Sequence, residues 1–502
     1  MQKIAFIGTK KCIEVTYIGT NKCIVVTFIG TNICVVIAFI GCKKCNLCYN
    51  YSIMKRYALE DLRKWKNSSN RKPLMFYGAR QVGKTWLVRE FAKSDYDDII
   101  ELNFHTDDSL KLIFDKDLTP VYIIQQLELR FNKKIDPERT LLFFDEIQES
   151  QRAMDSLKSF SDSQAPCKYS IISAGSFLGV MMGRRPVGQT DQLTLYPLSF
   201  REFLEAMDRK MLADTIKQCD GAVLSGTRDL LGSLLKQYYF VGGMPEAVSE
   251  YAAGGDLINV RRIQNELIST YKGDFSKHIN DPRTEPKIRM LWDSISLHLV
   301  KENKKFIYKN IKSGGRAAEF ENAMQWLVDT GLVYKINKVE NPKIPLKMHY
   351  KEEFFKLYML DIGLLGAQAE IRAADILAAG SDIVDNMNGA LAEQFVCQEL
   401  KAANVSPLFY WGRKGSTAEI DFITQGNSEH YPCEVIPIEV KSAKHTKSQS
   451  LKVYMEEYKP ACAVRTSMKN FGITAAKHGA KYAGKLYSVP LYMISEVLRV
   501  TL

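Results

Sequence analysis

A chain of 502 residues, 46% hydrophobic and 25% charged, exceeds what one core organises and has the composition of a globular protein of two to four domains. No run of eighteen apolar residues occurs, which argues against a transmembrane helix and a membrane partner. The net charge of +11 is unevenly spread: residues 1–53 contribute +5, from six Lys and Glu14 alone, and the other 449 residues only +6. That distribution weakens a nucleic-acid reading of the net charge, and any such contact must come from local patches. Five scattered cysteines, Cys167, Cys219, Cys397, Cys433 and Cys462, lack metal-ligand spacing, as expected of a reduced, cytoplasmic protein.

The other six cysteines lie in residues 1–53, where an eleven-residue repeat places Phe6-Ile7-Gly8, Tyr17-Ile18-Gly19, Phe28-Ile29-Gly30 and Phe39-Ile40-Gly41 in step with Cys12, Cys23, Cys34 and Cys45. Recurring Gly and β-branched residues suit a small β-solenoid. The preferred reading is translated repetitive DNA ahead of a start at Met54, where the register stops and ordinary sequence (KRYALEDLRKW) begins. Cys42, Cys45 and Cys48 form CxxCxxC without a fourth ligand nearby, so a metal site is not expected there. Apolar residues interleaved with Thr, Asn and Lys do not make the apolar stretch of a signal peptide.

PLMFY, residues 73–77, reads as a buried strand, and TWLVREFA from Thr85 has helical spacing with Leu87, Val88 and Phe91 on one side. Between them GARQVGKT (Gly78, Ala79, Arg80, Gln81, Val82, Gly83, Lys84, Thr85) is GxxxxGKT in the strand–loop–helix context of a phosphate-binding P-loop, or Walker A motif. Its backbone amides are expected to surround the phosphates of ATP, Lys84 to reach the β- and γ-phosphates, and Thr85 to ligate Mg²⁺. Sixty residues on, the apolar strand of TLLFFDEIQE ends in two carboxylates (Walker B): Asp145 is the expected Mg²⁺-organising acid and Glu146 the group that polarises water. The next strand, YSIISAGS, ends at Ser176, either a polar sensor of the γ-phosphate or a turn serine after Gly175. Arg184 and Arg185 are either an arginine finger or solvated surface residues.

Together with LYPLSFREF (195–203) and FVGGMPEAV (240–248), these motifs resemble a family of bacterial and archaeal AAA-superfamily ATPases, over roughly Met54 to Pro460. Ser176 departs from the Asn or Thr of many AAA sensors. The resemblance implies a C-terminal region of unassigned role with a winged helix and a PD-(D/E)xK nuclease-like domain. The expected fold is therefore α/β: after the extension 1–53, an AAA-type P-loop parallel sheet (54–225), a helical lid or linker (226–285), a winged-helix region (286–380) and a restriction-endonuclease-like α/β domain (381–502). Gly242 and Gly243 before Pro245 are read as a tight turn.

In the winged-helix region, KIRMLWDSISLHLV and Phe320–Gly331 read as helices, and LVYKINKVENPKIPLKMHY as a hairpin around Asn341-Pro342. Lys309, Lys312, Arg316, Lys335, Lys338 and Lys343 surround it, which suits either a DNA-binding wing or a solvated protein-docking module. Farther on, a helix carries Glu393, strand EIDFIT carries Asp421, and IPIEVKS puts Glu439 and Lys441 on one strand face. Matched to the nuclease-like pattern, Asp421 and Glu439, assisted by Glu393, would hold Mg²⁺ or Mn²⁺; Lys441 would orient or deprotonate water, with Lys444 and Lys447 near phosphate. The leading expectation is an ATP hydrolase whose nucleotide state controls a nucleic-acid-directed nuclease-like domain; the alternative is a nucleotide-dependent, protein-binding switch on a catalytically silent scaffold. AAA modules often act between subunits, so a homo-oligomer is an open expectation.

Overall fold

In a computed structural model, strand Leu74–Tyr77 (β1) follows helix Ala58–Lys66, buries Leu74, Met75 and Phe76, and runs into helix Lys84–Asp95 (α1) through the Gly78–Gly83 loop. The structure describes residues 3–8, 11–17, 22–27, 40–41, 54–162, 169–176, 178–180, 188–219, 221–277, 279, 281–300, 306, 316–377, 382–426, 431, 433–441, 449–478 and 482–501. Residues 1–55 and 56–502 are two separate compact units. In the first, strands Lys3–Gly8, Lys11–Tyr17, Lys22–Thr27 and Ile40–Gly41 pair antiparallel in sequence order, a meander rather than the parallel coils of a solenoid. The Cys42, Cys45 and Cys48 cluster lies outside the described residues.

The second unit begins with a five-stranded, all-parallel sheet. Strands Asp98–Asn103 (β2), Thr140–Asp145 (β3), Ser170–Ala174 (β4) and Asp191–Thr194 (β5) join β1 in the order β2-β3-β4-β1-β5. Every residue of β3 and β4 is buried, as parallel strands covered on both faces require. Helices Pro120–Phe131 (α2) and Gln151–Asp162 (α3) supply Ile123, Leu127, Met154 and Leu157 to the core beneath β2 and β3. Phe104, Phe114 and Phe144 meet edge-to-face there at 5.5–5.9 Å. The β1–loop–α1 and β3 expectations hold, with α1 beginning one residue earlier, at Lys84.

The phrases LYPLSFREF and FVGGMPEAV meet each other. Ser199 and Glu202 close a capping box on helix Phe200–Ala206 (α4). Leu198 N donates to Gly243 O at 2.7 Å, and the Tyr238 hydroxyl of helix Arg228–Val241 (α5) donates to Leu198 O. Gly243 N donates to the buried Asp361 at 2.6 Å, while Pro245 opens helix Pro245–Gly254 (α6) at its first turn. The expected tight turn is therefore also a packing node between the P-loop module and later residues.

Helices Leu257–Asp274 (α7), Thr284–Val300 (α8) and Ala317–Asp329 (α9) lead into strands Val333–Val339 (β6) and Tyr350–Met359 (β7), which pair antiparallel. This expected hairpin does not stand apart as a wing. Lys338 and Val339 of β6 pair in parallel with Tyr410 and Trp411 of strand Leu408–Gly412 (β8). With Glu419–Gln425 (β9), Val435–Val440 (β10), Cys462–Ser467 (β11), Gly472–His478 (β12) and Tyr482–Pro490 (β13), they form one eight-stranded mixed sheet, β7-β6-β8-β9-β10-β11-β13-β12. The expected boundary at 380/381 thus falls within elements that share a sheet, because backbone pairing across it completes the edge of β8. Helices Asp382–Ala402 (α10) and Gln449–Tyr458 (α11) pack on this sheet, the latter through Leu451, Tyr454 and Met455.

Candidate functional site

The Gly78–Thr85 loop sits at the carboxyl edge of the parallel sheet, where α1 begins. Gly78 has φ +145°, and a β-carbon there would lie 2.5 Å from Leu195 O; Gly83, the N-cap of α1, has φ +96°. Both positions need glycine for the backbone to curl and turn its amides to one side. Lys84 Nζ donates to Gly78 O (2.7 Å) and Ala79 O (2.9 Å), so the side chain folds back over its own loop. Burial pulls the Lys84 ammonium down to about 8, partly opposed by Glu146 and Asp145.

Thr85 Oγ1 donates to both oxygens of Asp145, at 3.3 and 3.4 Å, and Asn103 Nδ2 donates to Asp145 Oδ2 at 3.2 Å. Burial pushes Asp145 up to about 6, with Glu146 and then Glu101 adding to the rise. A hydroxyl and a carboxylate converging beside the P-loop fit a Mg²⁺ ion: hard oxygen donors, with charge that a cation would relieve. Glu146 adopts a left-handed conformation (φ +50°) and receives Gln148 Nε2, Ser176 N (3.4 Å) and Ser176 Oγ (3.5 Å). The structure therefore brings Lys84, Thr85, Asp145, Glu146 and Ser176 together; Arg184 and Arg185 lie outside the described residues.

Several supporting residues were not apparent from the sequence. Arg56 is buried beneath the loop, where it donates to Val82 O (3.0 Å), Tyr196 O (2.6 Å) and Glu202 (3.1 Å). Arg80 turns its guanidinium to both oxygens of Asp274 at 2.8 Å, and the Tyr271 hydroxyl donates to Arg80 O at 2.9 Å. Helix α7 thus grips the loop from outside the sheet. The turn after α9 passes over it as well, since a β-carbon on Gly331 would lie 3.7 Å from Ala79 N. A cavity of about 350 Å³ lies between Gly78 and Ser176 on one side and Thr330 and Tyr334 on the other. Arg56 had no sequence signal beyond its place before the first helix; Asn103, ending an edge strand beside β3, could have been inferred from that register.

The C-terminal residues assemble differently from expectation. Lys441 Nζ pairs with Glu439 Oε1 at 2.7 Å, and Val440 N donates to Asp421 Oδ2 at 2.7 Å. Lys356 of β7, completely buried, places its ammonium 2.6 Å from Glu419, 3.6 Å from Glu393 and 3.8 Å from Asp421. All three are ion-pair contacts, with Glu419 the nearest. Burial opposes the Lys356 charge, but Glu393, Glu419 and Asp421 outweigh it and hold the group protonated, well above the usual lysine range. Of the expected metal set, Glu393 and Asp421 lie against Lys356 and Glu439 against Lys441, and among the described residues no group of three or more acidic, His or Cys side chains has metal-holding geometry. The residues present do not fit Mg²⁺ or Mn²⁺ in this arrangement.

Of the basic residues expected around β6, Arg316 and Lys343 are exposed, and two others lie against neighbouring side chains. Lys338 is buried and pairs with Glu340 at 2.9 Å, and Lys335 lies 4.7 Å from the Phe355 ring centre. Lys309, Lys312, Lys444 and Lys447 lie outside the described residues. No helix among the described residues is long and apolar enough to cross a membrane.

Comparison with known proteins adds three family matches: residues 70–204 match an AAA domain, 232–375 a domain of unknown function (DUF8612), and 388–483 a second domain of unknown function (DUF4143). No curated protein matches. Among solved structures, the Aeropyrum pernix Orc1 protein in complex with DNA is 12% identical, with 65% of this chain and 96% of that chain covered, at a TM-score of 0.27. That likeness is too slight to carry an argument. Parallel sheet, P-loop and family match agree that residues 70–204 are an AAA-type P-loop domain, joined to two segments whose families carry no assigned function.

Proposed function

We propose that this protein is an ATP hydrolase, and that its nucleotide state is passed to the C-terminal sheet. The observation that carries the first half is the convergence of Lys84, Thr85, Asp145 and Glu146 at the carboxyl edge of one parallel sheet. The loop amides from Ala79 to Gly83 would cradle the phosphates, and Lys84 would leave Gly78 O and Ala79 O to neutralise them. Thr85 and Asp145 would hold Mg²⁺, whose charge neutralises the phosphate oxygens when it is bound. Glu146 would orient the attacking water, with Ser176 holding its carboxylate in place.

Transmission rests on the contacts that later segments make with the loop: Asp274 on Arg80, Tyr271 on Arg80 O, and the Gly331 turn over Ala79. A P-loop that moves on binding ATP disturbs all three. For the C-terminal fold, the ion pairs of Lys356 favour the reading of a switch on a silent nuclease-like scaffold, directed at a protein partner, over a DNA-cleaving domain. Turnover of ATP by wild type and Lys84→Ala, with and without duplex DNA, tests both halves. Wild-type turnover lost in Lys84→Ala is expected, and turnover retained in the variant would sink the P-loop assignment. Indifference to DNA is expected of the switch; strong stimulation by DNA would return the reading to a nucleic-acid-directed domain.

A further inference from the structure

Two of the three carboxylates that the nuclease-like pattern assigns to a metal, Glu393 and Asp421, already share a lysine with Glu419. Lys356 comes from β7, within the segment 232–375, whereas Glu393, Glu419 and Asp421 come from α10 and β9 of the segment matched separately at 388–483. β6 and β8 lie between β7 and β9 in the sheet, so the long Lys356 stem reaches across, its ammonium 5.1 Å from the Tyr410 ring centre on β8. Three carboxylates surround that ammonium at 2.6, 3.6 and 3.8 Å. Asp421 presents Oδ1 to it while Oδ2 receives Val440 N, and Glu393 Oε2 also receives the Tyr358 hydroxyl at 3.2 Å. A divalent ion needs its oxygens at about 2.0–2.6 Å and cannot share this space with an ammonium.

We propose that Lys356 is the resident cation of the C-terminal cluster, standing where the nuclease-like pattern would seat a divalent metal, so that this site takes no metal while β7 is docked. Charge explains why a protein retains such a residue. Buried carboxylates without a cation are costly, and one ammonium from a neighbouring segment both compensates them and ties the two segments together. The nuclease-like reading enters only in saying where a metal would sit. Because the test uses no nucleotide, its failure is distinct from failure of the ATPase reading.

The full chain is titrated with Mn²⁺ without nucleotide, following thermal unfolding and the Mn²⁺ electron paramagnetic resonance signal, in wild type, Asp421→Asn, Lys356→Met and the Lys356→Met/Asp421→Asn pair. Wild type and Asp421→Asn should respond alike, with no Mn²⁺ bound through Asp421. Lys356→Met should gain a site that raises its Tm by about 3–5 °C at saturating Mn²⁺, and adding Asp421→Asn should remove the gain. Should Lys356→Met not fold by itself, refolding into Mn²⁺ is expected to restore it, the metal standing in for the lost ammonium. Asp421-dependent Mn²⁺ binding by wild type overturns the proposal. So does a Lys356→Met protein that neither gains the site nor refolds with Mn²⁺.

Discussion

Arg56→Ala should damage both the fold and nucleotide binding, since one buried guanidinium serves three partners. Its Nε holds Glu202 at 3.1 Å, its Nη1 holds Val82 O at 3.0 Å, and its Nη2 holds Tyr196 O at 2.6 Å; Arg56 and Glu202 are each only 5% exposed. Removing one member of a buried ion pair typically costs about 3–5 kcal/mol, because the other charge stays behind unpaired. Here Glu202 keeps the amides of Tyr57 (2.7 Å) and Ser199 (2.9 Å), which places the expected loss near the lower end, about 3 kcal/mol. Val82 O belongs to the P-loop, so ATP affinity should fall about tenfold, roughly 1.4 kcal/mol. Arg56→Lys keeps the charge but cannot reach three acceptors in a planar fork, and should lie between wild type and Arg56→Ala. Urea unfolding and calorimetric ATP titration measure the two effects, and a double-mutant cycle with Glu202→Gln isolates the pair, with a coupling of about 1.5 kcal/mol or more expected. An Arg56→Ala protein within about 1 kcal/mol of wild type that binds ATP equally well would refute this account of the loop.

Two further outcomes follow from buried titratable groups. Burial pushes Glu399 up to about 7; it accepts Phe200 N at 2.8 Å and Ser495 Oγ at 3.3 Å. Its folded pKa lies above the unfolded value, so its contribution to stability is fully present below about 4.5 and is lost as pH rises through about 7. Glu399→Gln, which mimics the protonated form, should therefore improve relative to wild type by about 2–3 kcal/mol between pH 5 and 8 in urea unfolding; a difference that ignores pH would count against a neutral buried Glu399. Lys84, pulled down to about 8 by burial, should regain a proton when phosphates arrive. ATP binding at pH 8.5 should take up about three quarters of a proton, read from calorimetry in two buffers of different ionisation enthalpy, and zero uptake would contradict the buried, loop-bound lysine.

The P-loop half of the molecule was legible because its signals are local. An apolar strand, glycines at the two positions that need positive φ, a Lys-Thr pair and a helix of apolar period occupy consecutive residues, and β3 announces itself as a buried run ending in Asp145-Glu146. The same locality made the strands carrying Asp421 and Glu439 readable. Local chemistry of this kind survives in sequence because its parts are neighbours along the chain.

What only the tertiary structure decided are the contacts between residues far apart in the chain. Arg56 finds Glu202 across 146 positions, Arg80 finds Asp274 across 194, and β6 continues the sheet of β8 instead of folding back as a wing. Lys356 illustrates the reason most clearly. In sequence it is one lysine in YKEEFFKLYM, a string with no marker separating a solvated ammonium from a buried one. Its burial and its three carboxylate partners exist only once β7 joins the sheet against α10 and the Lys356 side chain reaches the carboxylates of β9. Motif spacing can assign chemistry to Glu393, Asp421 and Glu439 by type, but whether those carboxylates face a metal, water or a lysine depends on which strand the fold brings against them.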